Sequence, residues 1–252
     1  MSGDEVQPRT RWRATLAGCA LGLYSLIASA EGGLQLSPIR LDLGMQQRGG
    51  ALTLTNTASE RKTVQVEIKA WTQQRDGADE YVATQALLSN PPLFFLDPGA
   101  SQVVRVGLPA AMRSAPASEQ TFRVFLREVP DERPLDVPGL RVAVQLAVPV
   151  FIAPAAAAAP KLQWSGSIAT DGTVTITLDN GGNVHARAAD LHLLSAAAPE
   201  ELGRDGTMHY ALAGSRQSWH FKPARKLSPG AARVTALMEE GVREFPVVLV
   251  KQ

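Results

Sequence analysis

The chain has 252 residues, of which 45% are hydrophobic and 6% aromatic, and a formal net charge of +1. That is an ordinary globular composition with room for one or two cores. The even charge balance gives no footprint for nucleic acid or an anionic membrane surface, and the single cysteine, Cys19, excludes an internal disulfide framework.

Arg9, Arg11 and Arg13 precede an uncharged run from Ala14 that ends in Ala28-Ser29-Ala30. A basic start, a short apolar stretch and an A-x-A site predict a cleavable secretory signal over residues 1–30. The run is short and contains glycine, so no membrane insertion is expected. Leu16-Ala17-Gly18-Cys19 has the form of a lipoprotein processing box, but it leaves almost no apolar stretch after Arg13. Cleavage after Ala30 removes Cys19 and leaves equal numbers of basic and acidic residues.

Beyond the leader, Leu34 to Leu43 reads as a first strand interrupted at Pro38. Ala51 to Asn56 and Thr63 to Trp71 follow, and Arg75-Asp76-Gly77 is a turn. Leu93 to Leu96, then Asp97-Pro98-Gly99, then Gln102 to Leu108 form strand, turn and strand. Thr121 to Glu128 is a further strand, and the segment from Pro130 to Pro138 is a charged, proline-rich loop.

The clearest periodicity in the chain comes next. Leu140, Val142, Val144, Leu146, Val148 and Val150 are apolar, and the residues between them are polar, small or proline. A period of two over eleven residues predicts one long strand of roughly 36 Å. Pro149 has no N–H, which puts at least that half at a sheet edge or a bulge. A long apolar edge strand invites pairing with another chain. The alternative is that the even row faces the protein's own core.

Pro154 to Pro160 encloses five alanines, too few to nucleate a helix, and reads as a linker over residues 155–160. Strand patterning then restarts with Leu162 to Ile168, Thr173 to Asp179, Ala188 to Leu194, Met208 to Ala213, Gln217 to Phe221, Ala231 to Met238 and Phe245 to Val250. The Asn180-Gly181-Gly182 stretch is a turn among them. The expectation is an all-β chain, with a first domain over 31–154 and a second over 161–252.

Chemistry-bearing constellations are absent from this pattern. His185, His192, His209 and His220 have no metal-ligand spacing and read as residues on solvent faces. Glu239-Glu240 are adjacent carboxylates that point apart, and no G-x-S-x-G elbow or phosphate-cradling glycine loop is present. Neither an enzyme nor a metal or cofactor site is expected.

Two stretches, Leu96-Asp97-Pro98-Gly99-Ala100 before a strand and Phe122 to Pro130 (FRVFLREVP), together with the long alternating strand ending at Phe151 and Pro154, resemble the PapD-like periplasmic pilus chaperones. Leu36 to Gly44 is similar to that family's first strand, whose arginine falls here at Arg40. The resemblance implies two immunoglobulin-like β-sandwiches in a boomerang. It also implies that strand 140–150 is donated to an incomplete pilus subunit, with Leu140, Val142, Val144 and Leu146 entering the subunit's groove. Arg40 would bind the subunit's terminal carboxylate, and an outer-membrane usher would receive the complex. The V-P-V-F-I version of the strand is similar to the archaic branch, whose subunits are spore-coat-U-like. The family's second cation, a lysine, falls at Pro149, leaving Arg141 or Lys69 as substitutes. Its interdomain charge network is matched by Glu119 and by Glu240, but the arginine of that network falls at Ala153. A free donor edge could be protected by a self-capping dimer or by residues 131–139 folding over it. A secreted adhesion module of the same fold is the competing reading.

Overall fold

The computed structural model describes residues 33–130, 142–198 and 200–252, which are all-β and contain no helix. The candidate leader, the loop 131–139, Leu140 and Arg141 lie outside the described residues. Two β-sandwiches follow one another along the chain, each closed by the alternation of apolar residues on its inward faces.

The first sandwich holds ten strands: β1 (Leu34–Ser37), β2 (Leu41–Leu43), β3 (Gly49–Asn56), β4 (Lys62–Gln73), β5 (Asp79–Ala83), β6 (Leu88–Asn90), β7 (Leu93–Leu96), β8 (Ser101–Gly107), β9 (Gln120–Glu128) and β10 (Gln145–Ile152). One sheet has the order β1-β3-β8-β6. The other runs β2-β10-β9-β4-β5, with β7 also beside β4. Between them lie Leu52, Leu54, Val64, Val104, Leu126 and Val150, all fully or almost fully buried.

Pro38, preceded by a cis peptide bond, divides the first strand between the two sheets. Upstream of it, β1 pairs antiparallel with β3; downstream, β2 pairs parallel with β10, with Leu41 opposite Val150. This crossing leaves Arg40 immediately before β2, outside either ladder.

The second sandwich holds β11 (Leu162–Ile168), β12 (Val174–Asn180), β13 (Ala186–Ser195), β14 (Glu201–Ala211), β15 (Arg216–Phe221), β16 (Gly230–Met238) and β17 (Gly241–Lys251). Their hydrogen-bonded path, β14-β13-β16-β17-β11-β12-β15, curls back until its two ends lie against each other. Ile176, Leu178, Leu191, Leu193 and Val234 are fully buried in its core. Residues 155–160 carry no regular structure, and they are laid directly over Gly182. A Cβ at Gly182 would meet Pro160 Cα at 2.6 Å, so the glycine is required for the linker's path.

Candidate functional site

The free edge of β10 is the feature around which the site is built. Along its whole length β10 pairs antiparallel with β9, from Gln145 opposite Arg127 to Ile152 opposite Gln120. On its other side, β2 covers only Val150 to Ile152. From Gln145 to Pro149 that outer edge has no strand partner among the described residues. The N–H of Ala153 donates to Leu43 O, so by alternation the odd-numbered residues of β10 present their amides outward. Pro149 therefore sits where the ladder with β9 needs no donor, as a proline at an edge must.

The strand is shorter than its periodicity predicts, beginning at Gln145. Val142 and Val144 continue toward it without belonging to it, and Leu140 is not described. The even row splits in its environment. Val148, Val150 and Ile152 are buried in the first core and Leu146 packs against that core. Val144 is half-buried, and Val142 is 67% exposed. The core-facing reading of the row therefore holds from Leu146 onward, and the row becomes exposed at Val142.

Glu128, at the end of β9, fixes the start of this strand. Its backbone N–H donates to Val144 O, and its carboxylate accepts the Val144 N–H at 3.3 Å. The carboxylate is buried and is paired with Lys62 Nζ at 2.7 Å. The glutamate of the L-R-E-V-P stretch is thereby a tether for β10.

Arg40 stands where the free edge ends. Its Nε lies 3.0 Å from Asp42 and its Nη1 2.8 Å from Glu239, which belongs to the second sandwich. Burial alone lowers the pKa of the guanidinium, but the Asp42 and Glu239 carboxylates outweigh that and hold it above the usual arginine value. Arg40 is only partly exposed and opens onto a cleft of about 400 Å³ between the sandwiches, lined also by Glu119, His185, Arg187, Glu239 and Arg243. Lys69 lies elsewhere: it is level with Pro149 but two strands from it and three from β2, beside Glu67 and over the Phe125 ring. By strand spacing that is roughly 14 Å from the track of β2.

Several residues at this junction depart from the sequence reading. His185 is not on a solvent face: its ring stacks on Phe151 at 3.7 Å between centroids, and its backbone N–H and Nδ1 each lie 2.8 Å from Glu119 Oε2. Glu239, rather than Glu240, is the acidic residue joined to the first sandwich, while Glu240 is exposed and paired with Arg243. Trp71 and Phe151 from the first sandwich close over Tyr210 and Leu212 from the second. Arg123 lies over the Trp71 ring at 3.9 Å. These contacts join residues far apart in sequence, and only Arg40, Glu119 and Phe151 among them carried a signal.

The sequence model of the family described as pili and flagellar-assembly chaperones, PapD N-terminal domain, matches residues 33–158. No curated protein sequence matches the chain. Among solved structures, it is similar to a chain of the CsuC–CsuE chaperone–tip adhesion subunit pre-assembly complex from the archaic chaperone–usher Csu pili of Acinetobacter baumannii. The identity is 19% and the TM-score 0.61, over 87% of this chain and 99% of that one. It is also similar to a chain of the Salmonella enterica SafA pilin–SafB chaperone complex, at 17% identity and TM-score 0.56, over 86% and 96%. A third likeness is to the E. coli chaperone DraB, at 18% identity and TM-score 0.55, over 85% and 96%. At these identities the likenesses establish the fold.

Proposed function

The chain belongs to the pili and flagellar-assembly chaperones of the PapD type, and on that premise we propose that it captures secreted pilus subunits by donating the edge of β10. One observation carries this reading: β2 occupies the outer track of β10 only from Leu41 onward, so the track upstream holds no strand among the described residues, and Arg40 stands at its end. A strand entering that track parallel to β10 would run toward β2 and finish with its C-terminal carboxylate at Arg40. A guanidinium suits that group because it is always charged and presents its N–H donors in a fixed fork to carboxylate oxygens.

Val142, Val144 and Leu146, with Leu140 upstream, would supply the side chains that fill the subunit's groove. Burying four such side chains contributes at most ~6–12 kcal/mol before the cost of ordering both partners. Backbone pairing with the outward amides of Gln145 and Ala147 would set the register. No nucleotide is needed for release, since exchange for a neighbouring subunit's strand supplies the driving force. The family and the leader-like residues 1–30 together support a periplasmic site of action, with an outer-membrane usher receiving the complex. The V-P-V-F-I strand and the likeness to the Csu structure support the archaic branch and spore-coat-U-like subunits.

The test is co-purification from the periplasm of cells that also express the neighbouring secretion genes. Wild type is expected to come out one-to-one with a small β-rich secreted protein, and Arg40→Ala to come out alone but folded. Equal yields of complex from both proteins would remove Arg40 from this role. Wild type isolated alone would favour the adhesion-module reading.

A further inference from the structure

Glu239 behaves in this structure as a ligand would. Its Oε1 lies 2.8 Å from Arg40 Nη1, 3.7 Å from Arg187 Nε and 4.0 Å from His185 Nε2. Arg187 belongs to β13, and its side chain reaches the cleft that Arg40 enters from the other sandwich. The Arg187 Nε atom is buried, and no hydrogen bond reaches it among the described residues. A buried guanidinium N–H without an acceptor is costly, and Glu239 is too far to satisfy it. Arg40, in contrast, is bonded by Asp42 and Glu239 together. The cleft thus offers one cation already engaged and a second whose donor waits for an acceptor.

We infer that Glu239 is a built-in substitute for the incoming strand's terminal carboxylate, and that Arg187 is the second cation of the anchor. The inference rests on the reading of Arg40 as the first. An arriving carboxylate displaces Glu239, accepts from Arg40 Nη1 with one oxygen and meets the vacant Arg187 Nε with the other. Glu239 then turns toward solvent, of which it already has a share, its side chain being 42% exposed. Capture by this route spans both sandwiches, because Arg40 and Arg187 come from different ones. In the free protein Glu239 keeps the two cations from repelling each other across the cleft and sets a threshold for weak carboxylates.

The probe is N-acetyl-dialanine, with its C-terminal amide as the uncharged control, titrated into the purified ¹⁵N-labelled protein. Arginine Nε–H resonances of Arg40 and Arg187 are the readout, assigned from Arg40→Lys and Arg187→Lys. The carboxylate, and not the amide, is expected to shift both resonances. Glu239→Gln should tighten binding about tenfold by removing the competing charge, and adding Arg187→Met to it should lose about that factor again. Circular dichroism checks that each variant is folded. A carboxylate that shifts Arg40 alone, or a Glu239→Gln protein with unchanged affinity, overturns the role of Arg187 and Glu239 and leaves Arg40 as sole anchor. If neither resonance moves in any variant, the anchor reading of Arg40 falls with it.

Discussion

Asn56 and Asn180 show how single side chains fix the frame in which Arg40 and β10 are held. Both are buried at the ends of strands, β3 and β12, and they share three side-chain bonds of the same kind. Asn56 Nδ2 donates to Glu60 O and Leu96 O, and its Oδ1 accepts from Ala58 N–H. Asn180 Nδ2 donates to Val184 O and Ala211 O, and its Oδ1 accepts from Gly182 N–H. The backbone repeats the pattern, with Gly99 N–H donating to Asn56 O and Gly214 N–H to Asn180 O. Both glycines are left-handed, at φ 74° and 73°. The Asp97-Pro98-Gly99 stretch that drew attention as a motif is therefore the first sandwich's copy of a device used twice. Asn56→Ala would leave the Leu96 carbonyl and its neighbours buried without donors. A loss of about 2–3 kcal/mol is expected from urea unfolding, since each abandoned buried group costs about 1–3 kcal/mol. Asn56→Asp, which keeps the shape and Oδ1 but removes both Nδ2 donors, should recover little of it. An Ala variant within about 0.5 kcal/mol of wild type would show that water satisfies these groups.

At the scale of elements, β10 joins two demands that ordinarily conflict, since its C-terminal half is core and the outer edge of its N-terminal half has no strand partner among the described residues. Pro149 lies at the change-over, opposite Arg123 on β9 and one residue before the pairing with Leu41 begins. Because its nitrogen faces outward, it costs no bond within the sandwich, while it removes one donor from the exposed row. Pro149→Val should accordingly leave the fold standing but lengthen the pairing edge. The expected result is a concentration-dependent dimer, in sedimentation velocity, larger in fraction than that of wild type. Identical sedimentation of the two proteins would mean that another feature guards the edge. Alternation is a local signal, so the sequence carried the existence of this strand but not its start at Gln145, and it carried the split of Leu34 to Leu43 because Pro38 is a local breaker. It carried β5 and β6 poorly, for β5 (DEYVA) is exposed along its whole length and β6 is three residues long, so neither shows an apolar row. The start of β14 at Glu201 was hidden for a related reason: Gly203 and Gly206 interrupt the alternation there.

At the scale of the whole molecule, the question is whether the two sandwiches act as one body, as a carboxylate site drawing on both would require. Pairings between residues 66 to 199 positions apart leave no periodic trace in sequence, which is why Glu119 and Arg40 were legible only by resemblance and Gln73, His185 and Glu239 were not. The Gln73 side chain binds the second sandwich as a strand would: its Nε2 donates to Tyr210 O at 2.7 Å and its Oε1 accepts from Leu212 N–H at 3.0 Å. Gln217 Nε2 returns a bond to Gly77 O at the tip of the β4–β5 hairpin, where a Cβ on Gly77 would meet Arg216 O at 2.9 Å. Around these lie Trp71, Phe151, Tyr210 and Leu212, and burial pushes the Tyr210 hydroxyl's pKa up against the pull of Arg40, Arg123 and Arg187. Amide side chains that bond backbone are directional, so they select one relative placement where apolar contact alone would allow sliding. Two domains coupled in this way should unfold in one cooperative step, and uncoupled domains in two. Wild type is expected to give a single calorimetric transition, and Gln73→Ala with Gln217→Ala to broaden or divide it while Arg40 and the edge of β10 remain intact. If the double variant still melts in one sharp step, the aromatic cluster suffices to join the sandwiches. The amides would then contribute stability without deciding how the domains are set.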